Sequence, residues 1–472
     1  MKNKQQNILI IGAGLCGTLL ALRLGQRGYK VSVYEKRPDL RTTEMASGRS
    51  INLAFSDRGN KAMKLVGLEE QVKGLCVPMH GRLIHDKNGD TVQSNYSGRK
   101  EEHINSISRN DLNALLLNEA EKHAHVNFYF NRTCKSVNFE QTTALFHDEG
   151  SQKDFIEDAD VIIAADGVGS SLRRSYFLDR DFLFSFSQDY LTHGYKELSI
   201  LPNENGDYLA KKNALHIWPR KDFMLIALPN LDGSFTVTLF LSYDGGLYNF
   251  NNLTTEEKVV EFFKTEFPDA LLIMPNLAAE FFKNPTSPLG TIKCSPWHYK
   301  GNTLLIGDAA HAIVPFYGQG MNAAFEDVVV LDTILDMNLG SWEATFKAYQ
   351  KKRKIDTDAI ADLAMDNFQE MKEHVIDPIF QQKRKLELLL EKTFPAHYHS
   401  KYAMVTFTED LDYHVAMLRG RAQDRAVLTL LSNGTIKLNP KPTKEDLQKF
   451  LEQIKHDTNQ ILENQRHASL KY

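Results

Sequence analysis

Cysteine is scarce in this chain of 472 residues. The four, Cys16, Cys76, Cys134 and Cys294, lie far apart, with neither CxxC nor metal-ligand spacing. That argues against a disulfide framework, favours a reduced, cytoplasmic setting and predicts no metal site. Long basic blocks are missing as well: with a formal net charge of −4 and no long Lys/Arg block, the chain offers no electrostatic case for nucleic-acid binding. No apolar run approaches the roughly 20 residues that span a bilayer, so no transmembrane segment is expected. The opening MKNKQQNILIIGAG has basic residues before an apolar run, but the run is short and ends in glycines, the pattern of a first strand and not of a signal peptide. The three tryptophans, Trp218, Trp297 and Trp342, are isolated. What remains is an ordinary globular composition, 42% apolar and 25% charged, over a length that predicts two or three domains.

Three glycine turns stand out, each at the end of an apolar run. The first follows Asn7 to Ile11, reads Gly12-Ala-Gly14-Leu-Cys16-Gly17, and leads into a helical pattern through Arg27 and a second strand, Lys30 to Tyr34. Gly12 permits the tight turn, Gly14 lets a pyrophosphate approach the backbone, and Gly17 allows close packing of helix on strand. Glu35 follows Gly17 by 18 residues, where a ribose-binding carboxylate belongs, so the unit predicts a dinucleotide site. FAD and NAD share the ADP half, and this turn alone does not choose between them. The second turn closes Val161 to Ala165 with Asp166-Gly167-Val-Gly-Ser-Ser171-Leu-Arg173. The third is the stretch Gly307 to Asp327, GDAAHAIVPFYGQGMNAAFED, in which a strand ends in Gly-Asp and a loop with Pro315, Gly318 and Gly320 opens a helix near Met321. Its N–H groups can face an anion or a polarised ring at a helix N-terminus.

In this order and spacing the three turns resemble the flavoprotein aromatic hydroxylase family, the single-component aromatic monooxygenases. Tyr34-Glu-Lys-Arg37-Pro-Asp-Leu-Arg41, Gly48 to Ala54, VPMHGRLIHDKNG, ISRNDLN and PFYGQGMN are similar to the members of that family that hydroxylate kynurenine, and the resemblance runs from about Ile8 to about Thr408. It implies an α/β chain, α+β overall, with a Rossmann-like FAD-binding domain. Between about Asp181 and Lys293 the pattern itself changes to strands with turns, such as Asp222 to Leu228 and the alternating Ser234 to Leu241, which predicts an inserted, mainly antiparallel substrate domain. Phe235, Phe240 and Tyr243 read as core of that sheet. The expected organisation is therefore 1–180 (FAD-binding, with a substrate-wall segment near 76–105), 181–293 (sheet domain lying over the flavin), 294–342 (FAD-binding, second part) and 343–472 (helical, capping the substrate pocket).

For the cofactor, the resemblance implies that Gly12, Gly14, Cys16 and Gly17 hold the pyrophosphate and that Tyr34, Glu35, Lys36 and Arg37 surround the adenosine ribose. It places Ala54 on the flavin side, Arg109 at the phosphate or ribityl region, and Cys134 at the adenine through its backbone, where the family has an aliphatic residue. Asp166 and Ser171 of the second turn join the cofactor set; Asp308 takes the ribityl chain, and the N–H groups around Gly320, Met321 and Asn322 face the isoalloxazine, where negative charge develops on reduction. Pro315, Phe316 and Tyr317 form the active-site wall. No residue is assigned as acid or base, and His311 reads as structural.

Arg82 lies in an alternating apolar context, where a guanidinium either pairs with a carboxylate or reaches solvent, and Tyr96 follows a turn. Asn367 shares a helical stripe with Ile360, Leu363, Ala364 and Met371, so its amide needs a partner from core backbone or ligand. The resemblance makes Arg82, Tyr96, Asn367 and Tyr402 the substrate-binding set. It implies a cycle in which NADPH, bound transiently since no second GxGxxG follows a strand, reduces FAD, O2 adds at the flavin C4a atom as a hydroperoxyflavin, and L-kynurenine is hydroxylated at ring carbon 3. The alternatives are another flavin-dependent hydroxylase or halogenase of an aromatic amino acid, although the halogenase WxWxIP signature is absent, or a non-oxygenase FAD reductase. Towards the C-terminus, Thr443-Lys-Glu-Asp446 starts an amphipathic helix with Leu447, Phe450, Leu451, Ile454 and Ile461 on one stripe. It is expected to pack on the protein, with a membrane-surface or partner contact as the alternative. The resemblance implies a soluble form without the membrane anchor that eukaryotic members carry there; a monomer and a homodimer both remain open.

Overall fold

The computed structural model describes residues 6–42, 52–338, 340–370 and 377–469. Gly48 to Ile51 and Met371, used above, lie outside them. The chain divides into two compact units, Met1–Cys76 with Ile107–Leu191 and Pro288–Ala361, and Val77–Ser106 with Thr192–Ser287 and Asp362–Tyr472.

The first unit is built on a six-stranded sheet in the order His298–Tyr299, Thr303–Leu305, Val161–Ala164, Asn7–Ile11, Lys30–Tyr34, Val126–Tyr129. All neighbours run parallel except the first pair. Its central strands are largely apolar because both faces are covered: Ile8, Ile10, Val31, Val33, Ile162 and Ile163 have no exposed surface. The register sets Ile11 beside Ala164 and Tyr34, so the first two glycine turns leave the sheet at the same edge, the carboxyl ends of parallel strands. Thr303–Leu305 pairs with Val161–Ala164 and brings Gly307 to that edge too. A three-stranded antiparallel sheet, Arg132–Asn138, Thr143–Asp148 and Lys153–Asp158, belongs to the same unit.

A seven-stranded sheet, most of it in the second unit, has the order Thr286–Ser295, Ser185–Ile200, Phe235–Ser242, Phe223–Pro229, Leu215–Arg220, Gly81–His85, Thr91–Asn95. Leu215–Arg220 runs parallel to Gly81–His85, and its other neighbour and the pairs around Phe235–Ser242 are antiparallel. The alternation expected for Ser234 to Leu241 is not one of buried and exposed positions. Phe235, Val237, Leu239 and Leu241 pack with Phe262, Phe263 and Phe267 from the helical side, while Phe240 on the opposite face is buried as well. Phe235 and Phe240 therefore do not form one set: strand parity sends Phe240 into a small cavity with His193, Met224 and Phe368.

The C-terminal helices Pro378–Thr393, Tyr413–Ser432 and Lys444–Ser469 share a core of Leu386, Leu390, Val427, Leu430, Leu447, Leu451 and Ile454. The last helix starts as its sequence suggests: Asp446 N donates to Thr443 Oγ1 at 3.1 Å while Thr443 N donates to Asp446 Oδ2 at 3.0 Å. Among the described residues no helix is long and apolar enough to cross a membrane.

Candidate flavin and substrate sites

In the first unit each glycine of the opening turn has a separate steric reason. Gly12 has φ +100°, and a Cβ there would meet Ala165 O at 2.7 Å; a Cβ on Gly17 would meet Gly12 O at 2.0 Å. Gly14 differs, since a Cβ would have nothing within 4 Å. It is the N-cap of Leu15–Gln26 and offers no side chain to the helix end, so the space in front of those N–H groups is open. Glu35 is buried at the end of its strand: Oε2 accepts Ala13 N at 2.8 Å, and Oε1 accepts Arg37 N at 3.0 Å and Arg37 Nε at 2.8 Å. Burial works to raise its pKa, but the Arg37 guanidinium and these N–H groups hold the carboxyl below the usual range. Lys36 and Arg37 are exposed beside it. The Tyr34 ring stacks on Phe146 at 4.3 Å and on Tyr129 at 4.8 Å, which leaves only its main chain for the cleft; its carbonyl accepts Gly12 N at 2.8 Å.

Asp166 is set by the second turn. Oδ2 accepts Ser171 N at 2.7 Å and Ser171 Oγ at 2.8 Å, while Oδ1 is buried without a partner. Burial pushes its pKa up against the serine bonds. Cys134 lies on Arg132–Asn138, where burial lifts its thiol to about 12, so the side chain stays a neutral filler. The Cys16 thiol, raised the same way by burial, donates to Ala324 O at 3.6 Å. Arg109 opens the helix Arg109–Glu121 and is half-buried.

The third turn is held from within. Gly307 has φ +61°, Asp308 stands exposed in the first turn of a short helix, and Phe316 and Tyr317 are buried in the 3-10 turn Pro315–Tyr317. Gly320–Met337 then begins, with the N–H groups of Gly320, Met321 and Asn322 at its open end. The Asn322 side chain is used elsewhere: Nδ2 donates to Ala54 O at 2.8 Å and Gly318 O at 3.0 Å, and Oδ1 accepts Ser56 N at 3.0 Å. It fixes the Ala54 segment against the helix start. His311 is buried with Nε2 donating to Asp327 Oδ2 at 2.5 Å, a structural partner.

Two residues missed in the sequence hold these turns together. Arg173 donates to Ala309 O at 2.7 Å and to Val168 O, tying the second turn to the third. Asn113, buried on the helix opened by Arg109, donates to Ala13 O at 3.0 Å. The signal for Asn113 was present, an amide four residues after Arg109 on the buried helical face. Arg173 gave none, because an arginine in a helix reads as solvated until its carbonyl partners are known.

In the second unit Arg82, Tyr96 and Tyr402 come together. Arg82 pairs with Ser94 and Leu215 in the sheet, and Gly81 before it has no room for a Cβ, which would lie 2.5 Å from Ser94 O. The neighbouring strand therefore lies close and delivers Tyr96. The Tyr96 and Tyr402 rings stack 5.6 Å apart and within 10° of parallel, and Arg82 Cζ lies 4.9 Å from the Tyr402 centroid and 5.7 Å from that of Tyr96. Such contacts favour a guanidinium held flat over aromatic rings. The Tyr96 hydroxyl is buried with no partner, and burial pushes its pKa up, so it is a neutral donor. Asn367 is 5% exposed on Trp342–Gln369 in the same unit.

Residues 5–364 match the FAD binding domain family. A kynurenine 3-monooxygenase of Dictyostelium discoideum is 46% identical over 414 residues, covering 85% of this chain and 88% of its own length; one of Myxococcus xanthus (strain DK1622) is 41% identical over 452 residues, 96% and 95%. The chain belongs to the kynurenine 3-monooxygenase family. As a member it is a flavin-dependent monooxygenase that uses FAD. A solved 2-methyl-3-hydroxypyridine-5-carboxylic acid oxygenase shares the fold, with a TM-score of 0.63 at 19% identity over 82% of this chain and 98% of that one. FAD suits the residues of this kynurenine 3-monooxygenase family member on two counts: the Gly14 cradle has no atoms where a pyrophosphate would lie, and Asp166 keeps a buried acceptor for a ligand hydroxyl.

Proposed function

We propose that this protein hydroxylates L-kynurenine at ring carbon 3, consuming NADPH and O2, and that Arg82, Tyr96, Asn367 and Tyr402 bind the amino-acid end of the substrate. The observation that carries the reading is the arginine–tyrosine cluster, in which the half-buried Arg82 lies against two stacked tyrosines and the buried Tyr96 hydroxyl lacks an acceptor. A substrate carboxylate is the chemistry that suits such a pair, since it can accept from the phenol and from a guanidinium fork together.

For the flavin we infer the roles implied by the turns. Gly12 to Gly17 would hold the pyrophosphate, Glu35 the adenosine ribose, Asp166 and Asp308 the sugar and ribityl hydroxyls, and the N–H groups of Gly320 to Asn322 the ring. When bound, the flavin supplies electron transfer from NADPH and activation of O2. The protein's own work is positioning and exclusion of water: Phe316 and Tyr317 supply a buried aromatic wall, while Pro315, expected with them, is exposed, and the substrate's ring amine makes the adjacent carbon electron-rich without a protein base.

Purified protein should be yellow, and its NADPH oxidation should accelerate with kynurenine and yield a hydroxylated product. Absence of acceleration would sink the assignment. Arg82→Ala should weaken kynurenine binding by about 1.5–3 kcal/mol, the worth of a charged hydrogen bond. Titration of the flavin absorbance with kynurenine measures it, and an unchanged affinity removes Arg82 from the site.

A further inference from the structure

The helix Pro378–Thr393 sets one carboxylate between the two segments that carry the clustered tyrosines. Glu391 has no exposed surface, and its oxygens serve different segments: Oε2 accepts Gly98 N at 2.9 Å and Oε1 accepts Ser400 N at 2.9 Å. Gly98 stands two residues after Tyr96. Ser400 stands two residues before Tyr402 and caps the helix Lys401–Thr406, its Oγ accepting Ala403 N at 3.3 Å. The chain at Gly98 lies directly on the helix backbone, since a Cβ there would come within 2.4 Å of Leu388 O and 2.6 Å of Lys392 N. Arg99 reinforces the join by donating to Pro395 O at 2.6 Å and to Tyr398 O, with Nη1 3.8 Å from Glu391 Oε1.

Burying a carboxylate costs several kcal/mol unless its bonds repay it. An apolar residue would fill the same space but leave two main-chain N–H groups unsatisfied. An amide would satisfy only one of them, because its nitrogen would face the other N–H. Only an acid joins both segments.

We infer that Glu391 is a positioning residue for the substrate carboxylate: by holding Gly98 and Ser400 it sets the separation of Tyr96 and Tyr402, and with it the placing of Arg82. This rests on the reading that Arg82, Tyr96 and Tyr402 bind that carboxylate. Displacing either segment by an ångström moves a phenol or a ring face away from the guanidinium, and binding that depends on orientation falls steeply with such shifts.

The test compares L-kynurenine with an analogue lacking only the carboxyl group, each titrated against the flavin absorbance of the holoenzyme for wild type, Glu391→Gln, Gly98→Ala and Arg82→Ala. Glu391→Gln should weaken kynurenine about tenfold, as for loss of one charged hydrogen bond, and leave the analogue unchanged at full FAD content. KM for kynurenine should rise with kcat less affected. Gly98→Ala displaces the same segment sterically and should show the same selectivity; it decides the matter if Glu391→Gln fails to retain FAD. Equal losses for both ligands, or no loss, while Arg82→Ala stays selective, overturn the role of Glu391 and leave the carboxylate site standing. A non-selective Arg82→Ala overturns both.

Discussion

Gly17→Ala should yield protein that purifies colourless, without bound FAD. The added Cβ would sit 2.0 Å from Gly12 O, 3.1 Å from Gly12 C and 3.2 Å from the Ala165 Cβ. The first two are backbone atoms of the turn itself, so no flexible side chain can yield. Alanine in a helix is favoured over glycine by about 1 kcal/mol, but an overlap between backbone atoms outweighs that gain. The helix Leu15–Gln26 must lift from the turn, and its N-terminal N–H groups move away from the place they hold for a pyrophosphate. Gly14→Ala provides the contrast. Its Cβ meets nothing within 4 Å, so the fold should survive and any loss of FAD must come from the ligand. Flavin absorbance relative to protein absorbance measures both. Stoichiometric FAD in Gly17→Ala would refute the packing argument.

Asp327→Ala should destabilise the holoenzyme by about 3–5 kcal/mol, the cost of removing one partner of a buried charged pair. Asp327 Oδ1 accepts Arg353 Nε at 2.7 Å, and Oδ2 accepts Gly307 N at 3.0 Å and His311 Nε2 at 2.5 Å. Arg353 continues to Glu326 at 2.6 Å, and Glu326 to Arg58 at 2.6 Å, all of them buried or nearly so. Without Asp327 the buried Arg353 guanidinium loses one of the two carboxylates it is hydrogen-bonded to, keeping Glu326 and, at 3.9 Å, Asp356, and Gly307 N loses its acceptor. Chemical denaturation checks the size; a loss below about 1 kcal/mol, the range of surface pairs, would refute it.

The pH dependence follows from the same contacts. Burial works to raise the Asp327 pKa, but His311 and Arg353 pull it below the usual carboxylate value. A depressed folded-state pKa contributes stability above the unfolded value of about 3.9, lost as pH falls through the folded one. Wild type should therefore lose stability on acidification below about pH 4, and Asp327→Asn should lack that share of the loss.

Much of this was legible in the sequence because it is local. A strand, a glycine triplet and an acid 18 residues on encode a recognisable turn, and Gly12 and Gly17 do lack room for a Cβ, although the atoms that crowd them, Ala165 O for Gly12 and Gly12 O for Gly17, were not readable from the spacing. The fold class followed from the order of such units, and the family from the residues between them. Arg82 and Tyr96 were recognisable by resemblance, but no spacing announces that Gly81 brings their strands together. Tertiary structure alone decided where buried polar groups find partners. Asn322 bonds Ala54, more than two hundred residues earlier; the Tyr34 ring goes to a stack of aromatic residues; Asp327 turns back to Gly307; Glu391 joins Gly98 to Ser400. Apolar periodicity shows that a residue is buried, because burial of carbon is roughly additive and non-directional. A buried charge or amide must be met by specific donors at about 3 Å, and these come from chain segments whose approach only the folded protein sets.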